Sequence, residues 1–175
     1  MSDKEEMYLR NPSITADDYC SKEKYLDHQL EQYKIYAETV DKLSDRRILT
    51  NTFFLTIHTL IIGMVGFSYN SLLALQYKLI LILPLIGVGA LCYSWRRMLQ
   101  SYKQISAAKF RVIGEFEKYL PAQPFLVAEW SELGKGNNPK LYKPLTDSES
   151  WIPVIFASLY FIGFIVLLLT NAPIS

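Results

Sequence analysis

Charge is missing from three long stretches of this 175-residue chain. No Asp, Glu, Lys or Arg occurs from Ile48 to Tyr77, none from Leu79 to Trp95, and none from Ser150 to the C-terminus. Cysteine is scarce as well. Cys20 and Cys92 stand far apart, form no metal-ligand spacing, and are not expected to form a disulfide if both lie on a cytoplasmic side. The two histidines, His28 and His58, are scattered relative to each other and to Cys20, so no metal centre is expected. Gly134-Lys-Gly136 lacks the spacing of a phosphate-binding loop and follows no strand. There is no serine elbow and no acidic pair inside the uncharged runs, while Glu115 and Glu117 belong to a basic helix and are expected to pair with neighbouring Lys. These absences leave no catalytic constellation: the expectation is a protein that is not an enzyme and needs no cofactor. A formal net charge of +1 also argues against nucleic acid as a partner.

What the chain does have is hydrocarbon. Half of its residues are hydrophobic, and each uncharged run approaches or exceeds the roughly 20 residues with which a helix crosses about 30 Å of lipid. The reading is an all-α integral membrane protein with three transmembrane helices, about Asn51–Tyr69, Leu79–Trp95 and Trp151–Thr170. A soluble helical protein is the weaker alternative, because so short a chain has too little amphipathic surface to cover three such helices. The opening Met1-Ser-Asp-Lys-Glu-Glu6 is acidic rather than a basic signal-peptide start, so the first span is expected to act as its own insertion signal.

Basic residues set an expected orientation. Arg46 and Arg47 precede the first span and Arg96 and Arg97 follow the second, whereas the connection Asn70–Lys78 carries a single Lys. The positive-inside rule then predicts a cytoplasmic N-terminus, a cytoplasmic 96–150 segment and a C-terminal tail Asn171–Ser175 on the far side. Tyr69 and Tyr77 are expected as interfacial anchors on one side, and Tyr93, Trp95 and Trp151 on the other. The chain thus divides into 1–47, a transmembrane hairpin at 48–95, a polar segment at 96–150 and a last span with its tail at 151–175. Residues 1–47 hold 8 basic and 11 acidic side chains, and residues 96–150 hold 9 basic and 6 acidic, giving −3 and +3. Either these segments pack on each other, within or between subunits, or each is a solvated face. Arg96 and Arg97 are candidates for holding anionic lipid headgroups, with a plain stop-transfer flank as the simpler reading.

Both polar segments read as helical. Leu26, Leu30, Tyr33, Ala37 and Val40 recur at helical spacing among charged residues. A helix over 95–120 places Leu99, Tyr102, Ile113, Phe116 and Leu120 on one side, stops at Pro121, and is followed by an extended piece starting at Pro121-Ala-Gln-Pro124 and a turn-rich loop at Gly134–Pro139.

The first span has two faces. At about 100° per residue, Phe53, Phe54, Ile57, Leu60, Ile61, Met64 and Phe67 fall together, which suits lipid. Asn51, Thr52, Thr56, Thr59, Gly63 and Gly66 lie opposite, with His58 at their edge. Small residues let membrane helices approach closely where no hydrophobic effect pulls them together, and Pro84, Gly87, Ala90 and Ser94 offer a matching face on the second span. A tight hairpin between the first two spans, or between copies of them, follows; the same polar arc would also line a pore. His58 is either a titrating or ion-coordinating group or a neutral ring hydrogen-bonded to a neighbouring helix. The absence of an acidic partner in any span favours the neutral ring.

Tyr33-Lys-Ile-Tyr-Ala-Glu-Thr-Val-Asp-Lys-Leu-Ser-Asp-Arg-Arg47, Asn51-Thr-Phe-Phe-Leu-Thr56, the block from Ser101 through Ala-Lys-Phe110 to Leu-Pro121, and Ala128-Glu-Trp130 resemble the RipA family of octameric bacterial membrane proteins. The likeness runs from about Tyr25 onward. It implies an inner-membrane homo-octamer with a large cytoplasmic part, tied to envelope homeostasis and to survival inside host cells, with no catalytic residues to carry over. A more distant likeness is to small pore-forming membrane effectors of bacterial defence. The partners implied are other copies of the chain, membrane lipids and a cytoplasmic protein. Two functions follow: an oligomeric scaffold or regulator, and a pore or channel lined by the polar face of the first span.

Overall fold

The computed structural model describes Leu9, residues 11–73, Leu75, residues 78–138 and residues 145–170. Every regular element among these residues is helical. Three helices dominate: α1 (Lys22–Phe67), α2 (Ile82–Glu117) and α3 (Ile152–Leu169). Each contains a stretch long and apolar enough to cross a membrane. At about 1.5 Å per residue, the 46 residues of α1 far exceed what lipid requires. The anchor expected at Tyr77 and the tail 171–175 lie outside the described residues.

The chain forms two compact units, one from 1–45 with 103–143, the other from 46–102 with 144–175. Two of the three boundaries fall within α1 and within α2, where the helices run on without a break.

In the polar unit, the acidic and basic segments pack on each other within one chain. The joining contacts include rings and hydrogen bonds: Tyr33 and Tyr36 lie 6.4 and 6.1 Å from Phe116, and the Lys109 ammonium sits 4.9 Å above the Tyr36 ring while donating to the Thr39 hydroxyl. The apolar stripe expected on the N-terminal helix is displaced only at its start. Leu26 and Leu30 are exposed, while Tyr33, Ala37 and Val40 are half-buried as expected, together with Tyr25, Gln29, Tyr36, Thr39 and Leu43. Tyrosines that combine a large apolar ring with a polar tip take the contact in place of the leucines. On α2, Ile113 is buried and Phe116 half-buried, as its spacing predicts. The expected extended piece after Pro121 is brief, because Pro124–Glu129 resumes a wide helical turn that continues through Glu132. That turn presses on α2 so closely that a Cβ at Gly114 would lie 2.9 Å from Leu126 Cδ1. The turn-rich loop holds three successive positive φ values, at Gly134, Lys135 and Gly136.

In the apolar unit the core is Phe54, Trp95 and Leu99, with Leu91, Ile152 and Phe156 against it. Phe54, placed by the wheel on the lipid side, is instead 5% exposed and stacked on Trp95. Trp95, expected as an interfacial anchor, is fully buried, whereas Tyr93 and Trp151 remain exposed. An indole buries more apolar area than any neighbour on its helix, and Asn51 Oδ1 accepts its N–H at 2.9 Å, so burial leaves no polar atom unmatched. At one end of the unit, Arg47 lies 3.6 Å from Glu149, a half-buried pair. Lys78 donates to the carbonyls of Leu167 and Thr170, placing its charge at the C-terminus of α3 where the helix dipole favours it.

Candidate functional site

His58 is the fully buried polar residue of the apolar unit, and all three helices reach it. α1 supplies the ring itself, one turn after Phe54. α2 supplies Cys92 and Trp95, neighbours on one face at a spacing of three. α3 supplies Phe156 and Tyr160, at a spacing of four. The imidazole lies nearly parallel to Trp95 (5.7 Å, 21°) and to Phe156 (4.9 Å, 24°). Its Nδ1 is 3.1 Å from the Tyr160 hydroxyl, and its Nε2 is 3.7 Å from Cys92 Sγ.

Donor counting assigns the hydrogens. The Tyr160 hydroxyl also donates to the His58 backbone carbonyl at 3.2 Å, and a carbonyl can only accept. Both contacts are satisfied when the hydroxyl hydrogen points to that carbonyl and the imidazole donates from Nδ1 to the hydroxyl oxygen. Nε2 then offers its lone pair to the Cys92 S–H. A neutral ring uses every polar atom present, and an extra proton on Nε2 would face a thiol, a poor acceptor. A cysteine beside a histidine also resembles a nucleophile with its base. Here Cys92 is 4% exposed and His58 fully buried. The arrangement joins side chains from all three helices.

The other predicted residues are placed differently. Asn51 joins this core through Trp95. Thr52, Thr56 and Thr59 are exposed, and each hydroxyl donates to the carbonyl four residues earlier on its own helix, at 3.0, 2.8 and 2.8 Å. Gly63, Gly66 and Gly87 are exposed, and a Cβ at any of them would meet nothing within 4 Å; Ala90 is exposed too. Within one chain, therefore, the small-residue faces of the first two spans do not meet, and the hairpin is built through bulkier positions: Phe54 and His58 against Cys92, Trp95 and Leu99. Arg96 and Arg97 are exposed.

Sequence reasoning missed the centre of the polar unit, Glu117, which does not pair with Lys as expected. It is fully buried; Oε1 accepts from the Tyr33 hydroxyl (3.1 Å) and the Phe125 amide (3.0 Å), and Oε2 accepts from the Leu126 amide (2.7 Å). The side chain thus caps the turn that begins at Pro124, whose first amides have no partner within the turn. Burial, together with the adjacent carboxylate and its hydrogen bond, pushes the Tyr33 phenol up to about 12. The available signal was Pro124, which marks a helix start in search of an acceptor. Glu115 does pair as expected, with Lys118 at 2.7 Å.

A comparison with known families agrees with the three membrane-length helices. The model of the octameric membrane protein family (8xMP) matches residues 30–169. The chain belongs to that family. It is therefore a membrane protein of a family whose members are octamers, in agreement with the resemblance drawn from the Ala-Lys-Phe to Leu-Pro block. No curated protein and no solved structure matches it. The aromatic core, from Asn51 to Tyr160, lies wholly inside the matched region.

Proposed function

We propose that this chain forms a homo-octameric scaffold or regulator in the inner membrane of a bacterium, with its N-terminus cytoplasmic and its C-terminus periplasmic. Its polar unit engages cytoplasmic protein partners in envelope homeostasis, including during survival inside host cells. The role includes no catalysis. One observation carries the choice of scaffold over pore. The strongest polar groups of the first span, Asn51 and His58, are consumed by Trp95, Tyr160 and Cys92 within the chain, and so are not available to line a channel. The threonines that remain have hydroxyls satisfied by their own backbone, which suits a helix face against protein or lipid and asks for no water. The open Thr52–Gly66 face, with Gly87 and Ala90 on the second span, is the surface we assign to contact between copies, since small residues permit close packing in lipid.

Reconstitution into liposomes tests this reading. Octamers that pass no ions, and that lose their assembly in the Gly63→Leu, Gly66→Leu double variant while the chain stays folded, are the expected result. Robust flux abolished by Thr56→Leu or Thr59→Leu would overturn the scaffold in favour of a channel.

A further inference from the structure

A cavity of about 130 Å³ opens in the polar unit, walled by Leu9, Asn11, Ile14 and Tyr19, by the start of α1, and by Phe116 and Tyr119 at and just after the end of α2. Its volume is close to that of the engineered cavity of about 150 Å³ that accommodates benzene, but it is open to solvent, with Asn11, Ile14, His28 and Gln32 exposed. Five rings line it, Tyr19, Tyr25, Phe116, Tyr119 and the imidazole of His28, with the carboxamides of Gln29 and Gln32 among them. Tyr19 meets Tyr25 edge-on at 5.3 Å and 81°, so these rings stand as walls at an angle to each other.

Aromatic faces are negative, and carboxamide oxygens are acceptors. No Lys or Arg is among the described residues that line the cavity, and the His28 imidazole there has its Nδ1 3.4 Å from the Tyr19 hydroxyl. Residues 11–32 carry five acidic side chains and two basic ones, a net of −3. Asp18, next to Tyr19, accepts from the Thr15 amide (2.6 Å) and hydroxyl (3.0 Å), and the amide bond above all holds its carboxyl below the usual carboxylate range.

We propose that this cavity binds a small organic cation of the quaternary-ammonium class, held by its aromatic walls. A quaternary nitrogen carries a diffuse charge, is weakly hydrated, and is attracted to ring faces without needing a hydrogen-bond acceptor. Seven of the ten lining residues precede residue 30, where the family match begins.

Calorimetric or NMR titration of the full-length, detergent-solubilised oligomer tests the assignment. The probes are choline and tetramethylammonium at constant ionic strength, against the uncharged tert-butyl isostere of choline. The expected result is saturable binding of both cations, with the isostere about tenfold weaker or worse. Tyr19→Leu should lower cation affinity by about tenfold, and Tyr19→Phe, which keeps the ring and controls for folding, should leave it within about threefold. Equal binding of the isostere would overturn the proposal in favour of a merely apolar hole. Cation binding that survives Tyr19→Leu, or the absence of saturable binding in the wild-type protein, would also overturn it.

Discussion

The two units of this protein solve one problem with different chemistry. Each gathers separate segments around one polar side chain that is fully buried among the described residues, His58 in the apolar unit and Glu117 in the polar one. Around His58 the partners are side chains and rings, one set from each helix, and a neutral ring satisfies them all. Around Glu117 two of the three partners are backbone amides at the start of a turn, and the third is a phenol. The difference follows from the surroundings. Inside membrane helices the backbone N–H groups already satisfy one another, so contacts across are made chiefly by side chains, with a carbonyl such as that of His58 accepting a second bond from the Tyr160 hydroxyl. A broken segment such as Pro121–Glu132 brings free amides, and a carboxylate is the side chain suited to gather several at once.

Substitutions at the two centres separate these designs. The largest effect is expected from Trp95→Ala, which empties the core of the apolar unit and orphans Asn51, at a cost of about 4 kcal/mol. Thermal unfolding in detergent, with assembly followed by size-exclusion chromatography, measures it. Glu117→Ala is expected to cost about 3 kcal/mol by leaving two amides and a phenol without their acceptor. Its signature is local: hydrogen exchange at Phe125 and Leu126 should accelerate while the core amides around His58 stay protected. If protection falls equally in both units, they are not separate.

Tyr160→Phe removes one hydroxyl that serves both the ring and the backbone of His58, and a loss of about 1 kcal/mol is expected, because hydrogen bonds between membrane helices are individually modest. A stability unchanged from wild type would mean that ring stacking alone holds the three helices. The mildest test is alkaline titration of the tyrosines. The Tyr33 phenol, pushed up to about 12, is stabilised in its neutral form by folding. Its contribution is present below the unfolded value near 10 and is lost as pH rises through about 12. Ultraviolet titration should therefore show a late-ionising tyrosine that disappears in Tyr33→Phe.

Much of this architecture was legible in the residues. Long uncharged runs have one stable destination, so three membrane-length helices could be read directly, and the Leu99–Phe116 spacing found the inward side of α2. The rotational setting of α1 was harder. Hydropathy placed Phe54 with the lipid-facing residues, since a wheel ranks a phenylalanine by its greasiness and cannot see the indole waiting on another helix. Leu26 and Leu30 misled for the same reason. Small-residue faces promised close helix packing, yet within the chain they remain open, because aromatic side chains from three helices fill the centre and leave the glycines on the outside.

Sequence alone determined that this chain is helical, that three segments are built for lipid, and that it belongs among octameric membrane proteins, since these follow from hydropathy, period and motif, which are properties of neighbours along the chain. Only the tertiary structure decided what His58, Trp95 and Glu117 are for. Each is defined by partners dozens of residues away, such as Tyr160 for His58 and Tyr33 for Glu117, and a one-dimensional pattern carries no record of which distant donor meets which acceptor.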